Sequence, residues 1–160
     1  MLEITNYSTD TAREFDDSEE LQTYLDDHEG DEIGVTHCNI ISINTLDEAI
    51  EFLDMSQEEH DQLSVISQHH GYSYYSNLQM ALSEFEALSY IRIDGASTLY
   101  DTAQKLNFTI GYEDDLNQIL GCTAEAYEQL SRFIDNDDIA HVLNTEFDVV
   151  HTDNDTYILL

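Results

Sequence analysis

Carboxylates are the side chains here that could do chemistry: the chain carries 35 of them against four Lys and Arg, namely Arg13, Arg92, Lys105 and Arg132. Two carboxylates at the right separation hydrolyse glycosides, and clustered ones hold calcium. At this density every stretch brings acids together, so a pair alone points to no reaction. A calcium loop reads D-x-[DN]-x-[DN]-G with glutamate at position 12. Asp135-Asn-Asp-Asp138 has Ile139 where the third ligand belongs and no following glycine, and Asp153-Asn-Asp155 has Tyr157 there. The histidines, His28, His37, His60, His69, His70, His141 and His151, show no H-E-x-x-H spacing. Adjacent His37 and Cys38 would face opposite sides of a strand. Phosphate-binding glycine motifs and G-x-S-x-G are absent. The expectation is a protein that is not an enzyme, with no catalytic residue, metal ligand or cofactor.

What remains is the charge itself. A net −31 over 160 residues far exceeds the magnitude of about 2–8 that keeps a small domain soluble, and such an excess repels itself in a compact state. Residues 1–80 hold 19 acids and residues 81–160 hold 16, so the charge is spread over the chain and not confined to a tail. A 41% hydrophobic content with ten Tyr and six Phe is too apolar for a disordered acidic segment. The sign of the charge excludes nucleic acid and anionic membrane as direct partners. There is neither a leader-like N-terminus nor an apolar run approaching the ~18 residues of a membrane span. Cys38 and Cys122, far apart in sequence, read as reduced thiols of a cytoplasmic protein.

These carboxylates need elements to position them. Residues 2–7 (LEITNY) alternate as a strand. Asp17 is an N-cap with Glu20 three residues on, opening a helix to about His28 that Gly30 closes. Residues 34–43 (GVTHCNIISI) read as a second strand. Three capping boxes follow: Thr45 with Glu48, Ser56 with Glu59, and Ser76 with Gln79. In the first of these helices Leu46, Ala49, Ile50 and Leu53 would form the buried stripe, with Asp47, Glu48, Glu51 and Asp54 opposite. The second would run to about His69 before Gly71. Residues 90–94 read as a strand ending at Gly95, and Leu99, Ala103 and Leu106 mark a helix. Short helical stretches follow over 115–120, 123–133 and 138–143. Strands at 147–151 and 156–160 flank the turn-forming Asp153-Asn-Asp155. The expected class is α+β and elongated, in three units: a small N-terminal α/β unit (1–44), a central helical bundle (45–88) and a C-terminal α/β unit with a terminal β-hairpin (89–160).

Spacing gives the charge a meaning. Duplex DNA carries one charge per about 1.7 Å of axis, so 31 net charges at that density cover about 53 Å, or roughly 15 base pairs. Helix residues four apart hold their Cβ atoms about 5–6 Å apart, close to the pitch of phosphates along a strand. Asp47, Glu51 and Asp54 make such a row; Glu19, Asp26 and Asp27 make another, with Glu20 beside them. The expected phosphate stand-ins are Asp16, Asp17, Glu19, Glu20, Asp26, Asp27, Asp47, Glu48, Glu51, Asp54, Glu58, Glu59 and Asp61. An acidic salt-adapted binding or structural module is the alternative of another class.

Several stretches resemble the ArdA antirestriction proteins of mobile elements. They are the capped helix TLDEAIEFL, the acidic helix SQEEHDQLSVIS, the strand and helix YIRIDGASTLYDTAQKL, the segment YEQLSRFIDNDDIAHVLN and the terminal FDVVHTDNDTYILL. The likeness is spread from Thr45 to Leu160. At the front, only LEITNY reads as a strand before TAREFDDSEEL, where that family opens with a longer strand pair. The resemblance implies a three-unit elongated fold and a homodimer shaped like bent B-form DNA. It also implies a target: the DNA channel of a Type I restriction–modification enzyme in a bacterial cytoplasm, blocked by occupancy. A Cas effector blocked by an anti-CRISPR mimic is the alternative target. Tyr72–Tyr75 and the strand Tyr157–Leu160 are the expected self-association surfaces.

Overall fold

In the computed structural model, which describes residues 1–71, 77–108 and 112–160, the alternation at the N-terminus becomes strand β1 (Leu2–Asn6), with Leu2, Ile4 and Asn6 buried. A hairpin follows. The Asn6 amide holds it from inside: Oδ1 accepts the backbone N–H groups of Ser8 (3.0 Å) and Thr9 (3.2 Å), while Nδ2 donates to Asp31 Oδ2 at 2.7 Å. Asp10 completes the turn at φ 54°, a left-handed position that Asp tolerates better than most residues. The chain returns as β2 (Thr11–Phe15), and β3 (Ile33–Cys38) pairs on the other side of β1, giving an antiparallel sheet of order β2-β1-β3. A strand pair therefore does precede the first helix, where the sequence reads LEITNY alone. The reason is burial: of β2's five residues only Phe15 is inside, so no alternation marks the strand.

Helix α1 (Ser18–Asp27) is capped by Asp17, whose Oδ1 accepts the Glu20 N–H at 2.8 Å. Thr45 Oγ1 caps α2 (Leu46–Asp54) in the same way at 3.1 Å, and Glu48 Oε2 reaches back to accept the Asn44 N–H. The buried residues of α2 are Ala49 and Phe52, so the inward stripe lies one position round from the expected one, and Leu46, Ile50 and Leu53 are half-buried. Helix α3 (Gln57–His70) has a complete capping box from Ser56 and Glu59. Helix α4 (Leu78–Ala87) starts behind Asn77, whose Oδ1 accepts the Met80 N–H at 2.9 Å. The expected cap Ser76 and the segment Tyr72–Tyr75 lie outside the described residues. These strands and helices form one compact unit, Met1–Ala87. Its core includes Leu2, Ile4, Phe15, Leu21, Phe52, Leu63, Leu78 and Phe85. The expected N-terminal and central units are thus grouped together.

The second unit is Leu88–Leu160. Its sheet has order β4-β6-β5, antiparallel throughout, from β4 (Tyr90–Asp94), β5 (Asp148–His151) and β6 (Asp155–Leu159). All five residues of β6 are buried. Lying between two strands, β6 cannot offer Tyr157, Ile158 and Leu159 as a self-association surface, which corrects the expectation; Leu160 alone is exposed. Around the sheet are α5 (Leu99–Phe108), α6 (Glu113–Leu120), α7 (Ala124–Leu130), a 3-10 turn over Ser131–Phe133 and α8 (Asn136–Glu146). Ile93, Ala103, Leu106, Leu116, Ile139, Leu143 and Ile158 build the core. The Asp135 cluster has a structural role: its side chain and that of Asp138 form a capping box at the start of α8. Asp155 is not an exposed turn residue but opens β6, and is buried. The class is α+β: among the described residues, eight α-helices and two small antiparallel sheets, with a C-terminal β-hairpin. Among those residues no helix is long and apolar enough to cross a membrane.

Candidate functional site

The acids expected to act together lie in the first unit, mostly on its surface. Asp16, Asp17, Glu19, Glu20, Asp26, Asp27, Asp47, Glu51, Asp54 and Glu58 are exposed, and Glu48 and Glu59 are half-buried. Asp61 is the exception. It is only 7% exposed and accepts a hydrogen bond from Gln57 Nε2 at 3.1 Å, so it is not a surface phosphate stand-in. The cause is the packing of α3. Asp61, Leu63, Val65 and Ile66 are all buried, and at about 100° per residue they span roughly 200° of the helix circumference. That leaves α3 no broad outward face of the kind α1 and α2 have.

The helices fix where the exposed acids stand. Glu19 and Asp26 lie seven residues apart on α1, as do Glu20 and Asp27, so each pair shares a face. Asp47, Glu51 and Asp54 share a face of α2. The two helices pack on each other, and the Ser18 hydroxyl at the head of α1 donates to the Asp54 carboxylate at the end of α2. Gln79 Nε2 of α4 donates to Glu51 Oε1 at 2.5 Å. Gln22 Nε2 donates to Asp26 Oδ1 at 2.9 Å along α1. Neutral donors thus orient these carboxylates and leave their charge in place.

Several acids are already engaged by the backbone. Asp17, Glu48 and Glu59 accept N–H groups at helix starts. The Ser56 N–H and hydroxyl hold Glu59 below the usual carboxylate range. Among the described residues, the side chains of Asp16, Glu19, Asp27 and Asp47 make no hydrogen bond or ion pair. Glu14 on β2 and Glu29 after α1 are exposed as well. Sequence reading passed over both, because neither falls in a helical row; recognising β2 would have placed Glu14.

A shallow, open depression beside α1 is lined by Arg13, Asp17, Glu19, Glu20, Thr23, Tyr24, Asp27 and His28. Arg13 pairs with Glu20 and lies over the Phe15 and Tyr24 rings, 5.0 and 5.8 Å from their centroids. His28 Nδ1 donates to the Tyr24 carbonyl at 2.8 Å. The other basic side chains are also held within the molecule. Arg92 pairs with Asp94 and Asp155, Lys105 Nζ donates to the Asp94 carbonyl, and Arg132 lies over the Phe133 ring. The cations are thus tied to internal partners while many carboxylates face solvent, and the surface potential follows the net charge. Among the described residues no group of three His, Cys, Asp or Glu is placed to hold a metal ion. Both cysteines are free thiols, Cys38 buried and Cys122 half-buried.

No protein-family model, curated protein or solved structure matches the chain.

Proposed function

We propose that the protein is a DNA mimic that inhibits a bacterial defence complex by occupying its DNA-binding channel. The observation that carries this reading is the pair of capped, mutually packed helices α1 and α2 with Glu19, Glu20, Asp26, Asp27, Asp47, Glu51 and Asp54 exposed on them. A protein channel that binds duplex DNA gains affinity by pairing Lys and Arg with phosphates and releasing counterions. Carboxylates held on capped helices, those of α2 three and four residues apart, draw on the same attraction and the same long-range steering. The neutral donors that orient them leave the charge available.

The resemblance of the sequence to ArdA proteins favours a Type I restriction–modification enzyme as the target. It also favours a homodimer, encoded by a phage or mobile element and acting in the bacterial cytoplasm. No catalytic step belongs to this reading; inhibition is by occupancy.

The test is competition for a purified Type I complex between this protein and duplex DNA carrying its recognition site, repeated with a Cas effector. The expected result is mutually exclusive binding to the Type I complex that weakens steeply as salt rises. Preferential blocking of the Cas effector would keep the mimicry and replace the target. Displacement of DNA from neither complex, with unfolding of the protein at low salt, would replace the reading with a salt-adapted module.

A further inference from the structure

Of the chain's glycines only Gly95 follows an Asp or Asn. An Asp–Gly pair is open to attack of the main-chain nitrogen on the side-chain carboxyl, because glycine sets no Cβ beside that nitrogen. Asp94 ends β4 with its side chain 75% exposed, so water reaches the carboxyl group. The reaction is a rearrangement in which atoms balance. The Gly95 nitrogen bonds to Asp94 Cγ and gives up its proton, a Cγ–O bond breaks, and water leaves as a succinimide ring closes. Water then adds at the Asp94 main-chain carbonyl carbon, the C–N bond there breaks, and the chain runs on through Cγ as isoaspartate. Nothing is oxidised or reduced.

In the fold this peptide is held at both edges. Its N–H donates to Asp155 Oδ1 at 2.8 Å, and its carbonyl oxygen accepts from Lys105 Nζ. Asp155 is 5% exposed and is itself fixed by Arg92 Nε and Nη2. Lys105 projects from α5, so sheet and helix grip one peptide plane. Arg92 Nε also holds Asp94 Oδ1 at 3.1 Å. Ring closure needs Asp94 Cβ and Gly95 N almost eclipsed about the Cα–C bond, which the extended backbone of a strand does not provide. The peptide plane must swing, and the swing breaks both of its bonds. The negative charge of Asp155 beside the nitrogen further opposes loss of its proton.

We propose that Asp94–Gly95 is a latent modification site, at which isoaspartate forms spontaneously once Asp155 and Lys105 no longer pin the peptide. Isoaspartate lengthens the main chain by one carbon and moves the Gly95 N–H off Asp155, so conversion removes its own restraint. The site lies in the second unit, and it stands or falls independently of the DNA-mimic reading.

The full chain, incubated warm at neutral pH, tests it. The readout is peptide mass spectrometry after digestion with an endoprotease that cuts before aspartate and not before isoaspartate. Asp94→Glu, which closes no five-membered ring, sets the background. The expected result is conversion at residue 94 at least about tenfold slower in the folded chain than in concentrated urea. Asp155→Ala raises the folded-state rate at least about tenfold, as loss of a bond to a charged group allows, and Lys105→Met, which keeps the stem and removes the donor, at least about threefold. Leu143→Ala, a truncation in the core of the same unit, stays within about twofold of the unaltered chain. Circular dichroism checks that each variant is folded, and if Asp155→Ala is not, Lys105→Met decides. Three results overturn the proposal: equal rates with and without urea, an unchanged rate in Lys105→Met, or an acceleration in Leu143→Ala that matches Asp155→Ala and so assigns the protection to overall stability.

Discussion

The two units use carboxylates in opposite ways. On α1 and α2 of the first unit most stand in solvent, oriented by Ser18, Gln22 and Gln79, by Arg13 at Glu20, by the Asn44 N–H at Glu48, or by nothing. In the second unit Asp155 is turned inward. Its Oδ2 accepts from Arg92 Nε at 3.0 Å and Nη2 at 2.7 Å, and its Oδ1 accepts the Gly95 N–H at 2.8 Å. That one carboxylate ties β4, the turn after it and β6 together. Charge is therefore no guide to role in this chain. A carboxylate that is buried and fully bonded ties strands together, whereas exposed ones either cap a helix start, as Asp17 and Asp135 do, or stand free of the fold. The contrast can be broken in either direction.

The largest effect is expected at Asp155. Asp155→Ala leaves Arg92 without its main partner and the Gly95 N–H unsatisfied. Removing one member of a buried, hydrogen-bonded pair costs about 3–5 kcal/mol, and the partial exposure of Arg92 puts this case near about 3 kcal/mol. Urea denaturation measures it; a loss below about 1 kcal/mol would erase the difference between the units. Next comes the sixfold neutralisation of Glu19, Glu20, Asp26, Asp27, Asp47 and Glu51 to their amides. Stability should hold or rise as repulsion falls. Affinity for the defence complex should drop at least about tenfold, since six exposed pairs at about 0.2–1 kcal/mol each sum to about 1–6 kcal/mol. The single change Asp47→Asn should be nearly silent, and its abolishing inhibition in a folded protein would contradict a distributed array.

A smaller effect is expected at Gly95, which sits at φ 67° with Lys105 Nζ 2.9 Å from where a Cβ would lie. Gly95→Ala should cost about 1 kcal/mol, read as a lowered urea midpoint. The smallest concerns His151, whose Nδ1 is 2.7 Å from Thr156 Oγ1 and whose pKa burial pushes down. The folded value lies below the unfolded one, so the unfolded chain binds the extra proton first. The stability that neutral His151 contributes is complete above the unfolded value of about 6.5, and is lost as pH falls through the lower folded value. His151→Gln should flatten the stability profile below pH 7 by a few tenths of a kcal/mol, allowing for its partial exposure. An identical profile would remove His151 from the account.

Helix starts were legible because capping chemistry is local. Asp17, Thr45 and Ser56 each mark the residue before a helix, and each bond forms within three residues. The C-terminal hairpin was legible from β-branched runs around Asp153-Asn-Asp155. What the sequence hid depends on tertiary packing. β2 has one inward residue and so no period. Phe52 is buried because α2 turns one position from the face the apolar spacing favours. Asp61 is buried because α3 is covered over a wide arc, and no count of neighbours along the chain conveys that. Of the candidate site, the exposed rows on α1 and α2 were readable from spacing, whereas the links from Ser18 to Asp54 and from Gln79 to Glu51 join residues 36 and 28 apart. Asp135 shows the reverse: its cluster, in which Ile139 breaks the calcium-loop pattern, is a capping box at the start of α8.

Strand β2 has a consequence for how copies of this protein meet. It is an outer strand of its sheet, paired on one side only, and an open edge is a template on which a stray strand can add. Four of its five residues are exposed, and they include Arg13 and Glu14. Arg13 is already drawn to Glu20, which leaves Glu14 to face any incoming chain, and an incoming copy would itself be strongly anionic. Exposed side chains along this edge and the net charge of an incoming copy both disfavour strand addition there.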